Sequence, residues 1–245
     1  MSHAQEVTDD TLLGGRVVYR QLKAGHRSGF EPVLLAALVP ARPGQSVLEA
    51  VCGAGAGLLC LGARVAGLEA CGVERHGALV GLANENFRAN GFGAFTALAG
   101  DATALPFTPD RFHHVMANPP WFDSASTPSP DATRTLAHHI EPGGLAAWVA
   151  ELLRVLRTGG TISLILPANR FAEAAAALKG PCGGITLLPL WPRAGLAAKM
   201  VLLRARKGAR APDTILPGLV LHDQTGLTPE ALAVLRAGAG LAGSP

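Results

Sequence analysis

The chain is poor in the features that would staple, anchor or export it. Its 245 residues include four cysteines, Cys52, Cys60, Cys71 and Cys182, and no two of them form a C-x-x-C pair. That argues against a zinc knuckle or a disulfide framework and for small reduced core residues. The histidine neighbours His113–His114 and His138–His139 point in different directions on any helix or strand, so neither pair makes a natural metal site. No metal is expected. No apolar run is long enough to cross a bilayer, so no membrane partner is expected. MSHAQEVTDD at the start has no basic segment followed by an apolar one, so no signal peptide is read there and the expected location is cytoplasmic. Charged residues make up 16% of the chain against 49% hydrophobic, which supplies a core and leaves little material for disorder. The formal net charge of +3 permits an anionic partner without demanding one.

What is present is an alternation. EPVLLAALVP (31–40) reads as a short apolar helix stopped by Pro40. SVLEAV (46–51), ACGVE (70–74), FTALAGD (95–101) and HHVMAN (113–118) read as strands. LLCLGARVAG (58–67) and ALVGLANENFRANG (78–91) have helical spacing between them. GGLAAWVAELLRVLRTGG (143–160) is a strongly amphipathic helix with glycine at its end. TISLILP (161–167) is a strand and RFAEAAAALKG (170–180) a helix. ITLLPLW (185–191) and AKMVLLRARK (198–207) are late strands with a short link and no helix between them. Repeated strand–helix–strand units predict an α/β fold: a Rossmann-like, mostly parallel sheet of seven strands with helices on both faces, and one antiparallel strand near the C-terminus. There is no internal repeat and no long linker, so residues 1–245 are read as one domain, with 1–30 as a lead-in segment. DSASTPSPDATRTL (123–136) is the best candidate for a mobile loop.

In an open α/β sheet, ligands bind beyond the carboxyl ends of the strands. LEAVCGAGAG places Glu49, Gly53, Gly55 and Gly57 after the first strand. Glycines there allow close backbone approach and open a helix whose N-terminus favours polar or negative groups. Glu74 follows the second strand, placed to accept hydrogen bonds from a ribose diol. Asp101 follows the third, placed to accept from an exocyclic amine. Together they point to an adenosine-containing cofactor. A dinucleotide fingerprint would need glycine where Leu58 stands, and a P-loop would need Lys followed by Ser or Thr after the glycine run.

After the fourth strand comes ANPPWFD (117–123). Two successive prolines end a strand and forbid a helix, and the residue before them is pushed into extended backbone. Asn118 is therefore held on a rigid loop. Glu49…Gly53-x-Gly55, Glu74, Asp101 and Asn118-Pro119-Pro120-Trp121, in that order, resemble a class I S-adenosylmethionine-dependent methyltransferase. The Asn-Pro-Pro-aromatic tetrapeptide marks the members that methylate a nitrogen in a planar group: adenine amines of DNA and RNA, and glutamine amides of release factors. LLGGRVVYRQLKAGHRSGFEPVLLAA near the start and LPGLVLHDQTGLTPEAL near the end are similar to the bacterial tRNA(Val) adenine-N6 methyltransferases, over roughly residues 12 to 235.

That resemblance implies S-adenosylmethionine as cofactor, tRNA as partner, and an adenine N6 amine as methyl acceptor. Cofactor-binding positions would be Glu31, Glu49, Val51, Gly53, Gly55, Glu74 and Asp101. Catalytic positions would be Asn118, Pro119, Pro120 and Trp121. Val51 departs from the family pattern, which has glycine there. The chemistry suits the tetrapeptide. An aromatic amine is a poor nucleophile because its lone pair is delocalised. The Asn118 side-chain oxygen and the Pro119 carbonyl can accept its two hydrogens and steer the lone pair toward the sulfonium methyl. Pro120 helps to keep these acceptors aimed, and Trp121 can stack on the extruded base, which is worth about 1–3 kcal/mol.

An RNA substrate needs cations. No acidic residue stands between Glu173 and Asp213, while Lys179, Arg193, Lys199, Arg204, Arg206, Lys207 and Arg210 do. Of these, Arg193, Lys199, Arg204, Arg206 and Lys207 are the candidates for substrate RNA. Arg16, Arg20, Lys23 and Arg27 add a second basic run. Two other readings stay open: a protein glutamine N5 methyltransferase, although thirty-odd residues leave little room for its usual helical substrate domain, and an inactive cofactor- or RNA-binding relative.

Overall fold

The computed structural model describes residues 6–24, 27–119 and 144–241. The 123–136 loop, Pro120 and Trp121 lie outside them. Strands β3 (Ser46–Ala50), β4 (Glu69–Glu74), β5 (Phe95–Ala99), β6 (Phe112–Ala117), β7 (Leu156–Pro167), β8 (Cys182–Arg193) and β9 (Met200–Lys207) build the central sheet in the order β8-β9-β7-β6-β3-β4-β5. All neighbours in this row are parallel except β9, which runs antiparallel to both β7 and β8. This is the expected seven-strand arrangement, with its one reversed strand where the short link predicts it. Two small strands extend it: β10 (Thr214–Ile215) and β11 (Leu219–His222) both pair with β8 in parallel.

Central strand β3 is buried at every position, as expected for a parallel strand covered on both faces, where hydrophobicity is continuous rather than alternating. Helices α1 (Glu31–Leu38), α2 (Ala56–Arg64), α3 (Gly77–Ala89) and α6 (Pro229–Leu235) cover one face. Helices α4 (Gly144–Val155) and α5 (Phe171–Leu178) cover the other. α6 is opened by Thr228, whose hydroxyl accepts from the Ala231 amide, with Pro229 in the first turn.

The described part of the lead-in has secondary structure of its own. It forms an antiparallel hairpin of β1 (Val7–Leu12) and β2 (Val17–Leu22), turned through Leu13, Gly14 and Gly15, all at positive φ. Among the described residues, no strand lies beside the outer edge of β2. Asparagine side chains on α3 take that place. The Asn90 amide accepts from Val18 N–H and donates to Val18 C=O, and Asn86 does the same for Arg20 (2.7–3.0 Å). A primary amide carries the donor and acceptor of a peptide group, so two of them four residues apart on one helix face mimic a strand edge.

The helix expected to run to Gly160 ends at Val155, and its last residues join β7. Lys207 explains the stop: its ammonium donates to the carbonyls of Leu153 (2.8 Å) and Leu156 (2.6 Å) and pairs with Asp110. A cation on terminal helix carbonyls satisfies orphan acceptors and opposes the helix dipole.

His114 on β6 is buried between Thr161 Oγ1 (2.7 Å) and Gln45 Oε1 (2.8 Å). The Gln45 oxygen can only accept, so Nε2 carries the proton and Nδ1 accepts from the Thr161 hydroxyl. Burial first, then the nearby His113, Arg157 and Arg64 charges, pull its pKa down to about 4. The neutral ring is therefore the folded form. The stability it supports is complete above its unfolded pKa, about 6.5, and is lost as pH falls toward 4. In denaturant titrations the chain should lose on the order of 2–3 kcal/mol through this group over that window. His114→Gln should flatten that part of the pH profile.

Candidate functional site

The β5-β4-β3-β6 order brings four strand ends to one edge of the sheet. Ala50 is paired with Val73 on one side and Ala117 on the other, and Glu74 with Ala99. Val51, Glu74, Asp101 and Asn118 therefore emerge next to one another. Helix α1 runs from this edge down to the start of β3, so Glu31 in its first turn joins them. Its carboxylate folds back over Gly29, where any side chain would collide with it.

The turn between β3 and α2 is held from several directions. Cys52 N–H donates to Val73 C=O (3.1 Å) and Gly55 N–H to Cys52 C=O (2.9 Å). Gly53 N–H donates to Glu74 Oε2 (3.1 Å), and the Asn86 amide donates to Ala54 C=O (3.0 Å). Gly53 and Gly55 have φ of 55° and 87°. A Cβ on Gly55 would stand 2.6 Å from the Phe87 ring, whereas one on Gly53 would meet nothing within 4 Å. Gly55 is thus required by packing, and Gly53 borders open space.

The three acids are in different states. Glu49 is 2% exposed and turns under the first turn of α2. It accepts from Leu58 N–H (3.0 Å) and lies against Gly57, where any Cβ would overlap it. Burial pushes its pKa up to about 8, the Leu58 donor pulling the other way and the Glu74 charge adding to the rise. Glu74 accepts from Gly53 N–H and His76 N–H on separate oxygens. A carboxylate has about four acceptor directions, so two remain for a diol. Asp101 is exposed and accepts from Thr103 N–H (2.8 Å) and its hydroxyl (2.7 Å) on one oxygen. Those bonds hold its carboxyl below the ordinary range and leave the second oxygen for an amine.

Val51 stands in the left-handed region, at φ 59°. For a β-branched residue that is a strained backbone, with a cost on the order of 1–3 kcal/mol. Its half-buried side chain packs on the core beneath α4 and α5. The glycine of the family pattern thus has a conformational reason, and this chain keeps the conformation without the glycine. Asn118 is half-buried one step beyond Ala117, and Pro119 is buried.

The basic candidates divide between the two ends of the sheet. Arg193 closes β8, and Lys199 precedes β9, its carbonyl taking the Ala168 amide (2.9 Å) just past the end of β7. Both are exposed on the loop 193–199 at the site edge, with Leu196 54% exposed between them. Arg206 and Lys207 lie at the opposite end, because β9 runs backwards. Arg206 donates to Gly159 C=O (3.0 Å), and Lys207 is the helix cap described above. Arg204, partly desolvated, donates to Leu38 C=O at the end of α1 (3.3 Å). In the second basic run, Arg20 pairs with Asp9 and Glu85, Lys23 with Glu6 and Arg27 with Asp10, while Arg16 donates to Ala237 and Ala63 carbonyls. Sequence reasoning also passed over Asn86 and Phe87. Their signal is an N-E-N-F-R-A-N spacing that puts two amides and a ring on the buried side of α3.

Residues 47–144 match a family model described as a methyltransferase domain. This stretch is similar to methyltransferase domains. The open space at Gly53, the spare acceptors of Glu74 and the second oxygen of Asp101 fit the expected cofactor, S-adenosylmethionine. A crystal structure described as a predicted O-methyltransferase from Agrobacterium tumefaciens superposes with a TM-score of 0.72 at 24% identity, over 86% of this chain and 98% of that one. Geranyl diphosphate C-methyltransferase from Streptomyces coelicolor A3(2), solved with Mg2+, geranyl diphosphate and S-adenosyl-L-homocysteine, gives 0.52 at 15%, over 71% and 76%. TrmN from Thermus thermophilus gives 0.51 at 22%, over 72% and 48%. At these identities the likeness establishes the fold, a Rossmann-like methyltransferase sheet. No curated protein sequence matches the chain.

Two substitutions test the domain's cofactor turn. Gly57→Ala should cost about 1–3 kcal/mol in chemical denaturation, because the methyl displaces the buried Glu49 carboxyl. Val51→Gly relieves about 1–2 kcal/mol of left-handed strain against roughly 0.5–1 kcal/mol of added chain entropy. It should leave stability within about 1 kcal/mol of the parent and tighten S-adenosylmethionine binding in calorimetric titration.

Proposed function

We propose that the chain transfers the methyl group of S-adenosylmethionine to the N6 amine of an adenine in tRNA. The observation that carries this reading is the place of Asn118-Pro119: at the end of β6, one strand from the glycine turn, on the same edge as Glu74 and Asp101. In this reading Glu74 takes the ribose hydroxyls, Asp101 takes the adenine amine of the cofactor, and Gly53 and Gly55 let the backbone approach it. Glu49 serves from beneath, by holding the first turn of α2. The cofactor supplies an activated methyl. The protein's own task is to bring an amine nitrogen into line with it.

The Asn118 side-chain oxygen and the Pro119 carbonyl accept the two amine hydrogens. That turns the lone pair out of conjugation and stabilises the positive charge growing on nitrogen. The peptide that carries the Pro119 carbonyl takes its nitrogen from Pro120, which has no hydrogen, so it presents an acceptor and nothing that competes with it. Pro120 and Trp121 complete the clamp in this proposal, as a stiffener and a stacking platform. Arg193 and Lys199 supply phosphate contacts at the site edge. Arg204, Arg206 and Lys207 hold backbone carbonyls within the fold, and their proposed share in RNA binding passes to that loop.

The test is methyl transfer from labelled S-adenosylmethionine to unmodified bulk tRNA, duplex DNA and a release-factor protein, with product hydrolysis and mass spectrometry. N6-methyladenosine in tRNA alone is the expected result. Label in the protein would move the function to glutamine N5, and no label with no cofactor bound would favour an inactive relative. Asn118→Ala should abolish transfer with cofactor affinity within about twofold of the parent. Arg193→Ala and Lys199→Ala should each raise KM for tRNA and lower the salt slope by about one, with kcat retained. Lys207→Ala should instead lower the melting temperature.

A further inference from the structure

Asn86 is fully buried, and among the described residues its side chain hydrogen-bonds both the N-terminal hairpin and the glycine turn. Its Oδ1 accepts from Arg20 N–H (2.9 Å). Its Nδ2 donates to Arg20 C=O (2.8 Å) and also to Ala54 C=O (3.0 Å), between the two positive-φ glycines. All three partners are backbone groups, and every polar hydrogen and the oxygen of the amide are used. Next to it in sequence, Phe87 lies against Gly55. Four residues along, Asn90 makes the same double bond to Val18 but reaches its own helix at Asn86 C=O instead of the turn. The two asparagines therefore differ in one respect that matters: only Asn86 touches the segment that faces the cofactor.

The hairpin in turn leads to the site edge. β2 climbs along α3 from Asn90 to Asn86. Tyr19, buried, hydrogen-bonds Ser28 (2.8 Å), and Ser28 stands three residues before Glu31. A shift of β2 along α3 would thus pull on Ala54 through Asn86 and on the start of α1 through Ser28.

We infer that Asn86 is a positioning residue for the cofactor turn, coupling the docking of the N-terminal hairpin to S-adenosylmethionine affinity. The inference rests on the cofactor reading above. The Gly53 backbone has the space to meet a ligand, and the Ala54 peptide fixes its direction. With the amide lost, the turn keeps its bonds to Val73 and Glu74 but samples other directions, and binding must select the competent one.

The experiment uses the full chain and four proteins: parent, Asn86→Ala, Asn86→Asp and Asn90→Ala. Asn86→Asp keeps the acceptor for Arg20 N–H and loses both donors. S-adenosylmethionine is titrated by calorimetry, thermal stability is recorded alongside, and kcat is taken at saturating cofactor. Both Asn86 variants should lose about tenfold in affinity, a typical coupling between sites. Asn90→Ala should lower the melting temperature and leave affinity within about twofold. At saturation kcat should recover, so that the defect sits in KM for the cofactor. Equal affinity losses in Asn86→Ala and Asn90→Ala would overturn the inference, since loosening the hairpin would then suffice.

Should the Asn86 variants fail to fold, amide hydrogen exchange on the parent decides. Coupling is reciprocal, so saturating S-adenosylmethionine should slow exchange at Arg20 N–H much more than at Val18 N–H. An identical response at both amides would overturn the inference. A parent that binds no S-adenosylmethionine would overturn the cofactor reading, and this inference with it.

Discussion

The architecture depends on one buried carboxyl group. Glu49, the penultimate residue of the central strand, accepts the amide of Leu58, inside the next helix, across a turn that has to reverse direction within a few residues. Four N–H groups at a helix start have no partners within the helix. Supplying one from the preceding strand fixes how α2 sits on the sheet. The cost is a desolvated acid and a glycine at position 57. The gain is a turn whose backbone points the same way in every molecule. Glu74, reaching across from β4 to Gly53 N–H, and the Asn86 amide, reaching from α3 to Ala54, hold the same turn from its other side. The glycine turn is thus framed by groups from two successive strand–helix units.

Against that frame, Val51 is the misfit. Its backbone takes the left-handed conformation that glycine adopts at no cost, so the geometry of the turn outweighs the preference of the residue. The strain persists because hydrogen bonds on both sides over-determine the chain there. Its side chain finds some return by packing on the core under α4 and α5. On the adjacent strand, Asn118 follows Ala117 as Val51 follows its partner Ala50, so the two emerge side by side at the sheet edge.

Much of the fold was legible in the residues, and for identifiable reasons. Buried parallel strands announce themselves as short apolar runs, and their helices as amphipathic ones, so the β3-to-β7 region read correctly to within a few residues. The short link at 193–199 correctly implied reversal of β9. The ordered acids and glycines share one edge of the sheet, because strand direction alone determines which end they share. What escaped was decided by tertiary partners. The hairpin in the lead-in has polar, alternating strands that pair with side-chain amides, and no local propensity records that. The end of α4 is decided by a lysine fifty residues later. The basic candidates were grouped by sequence proximity, yet an antiparallel strand carries its two ends to opposite sides of the molecule. Arg193 and Arg206 are therefore far apart in purpose although they flank one hairpin.

That reversed strand has a consequence for how the molecule could diversify. In a wholly parallel sheet every tip at the reactive edge is also the entrance to a covering helix, so lengthening one disturbs the packing of a layer. Because β9 turns back between β7 and β8, the stretch 193–199 joins two strands directly and leads into no helix. It can grow, shrink or exchange its side chains while both layers stay as they are. The sheet thus sets aside one segment whose side chains can drift under selection, beside an edge whose turns are tied into the covering helices.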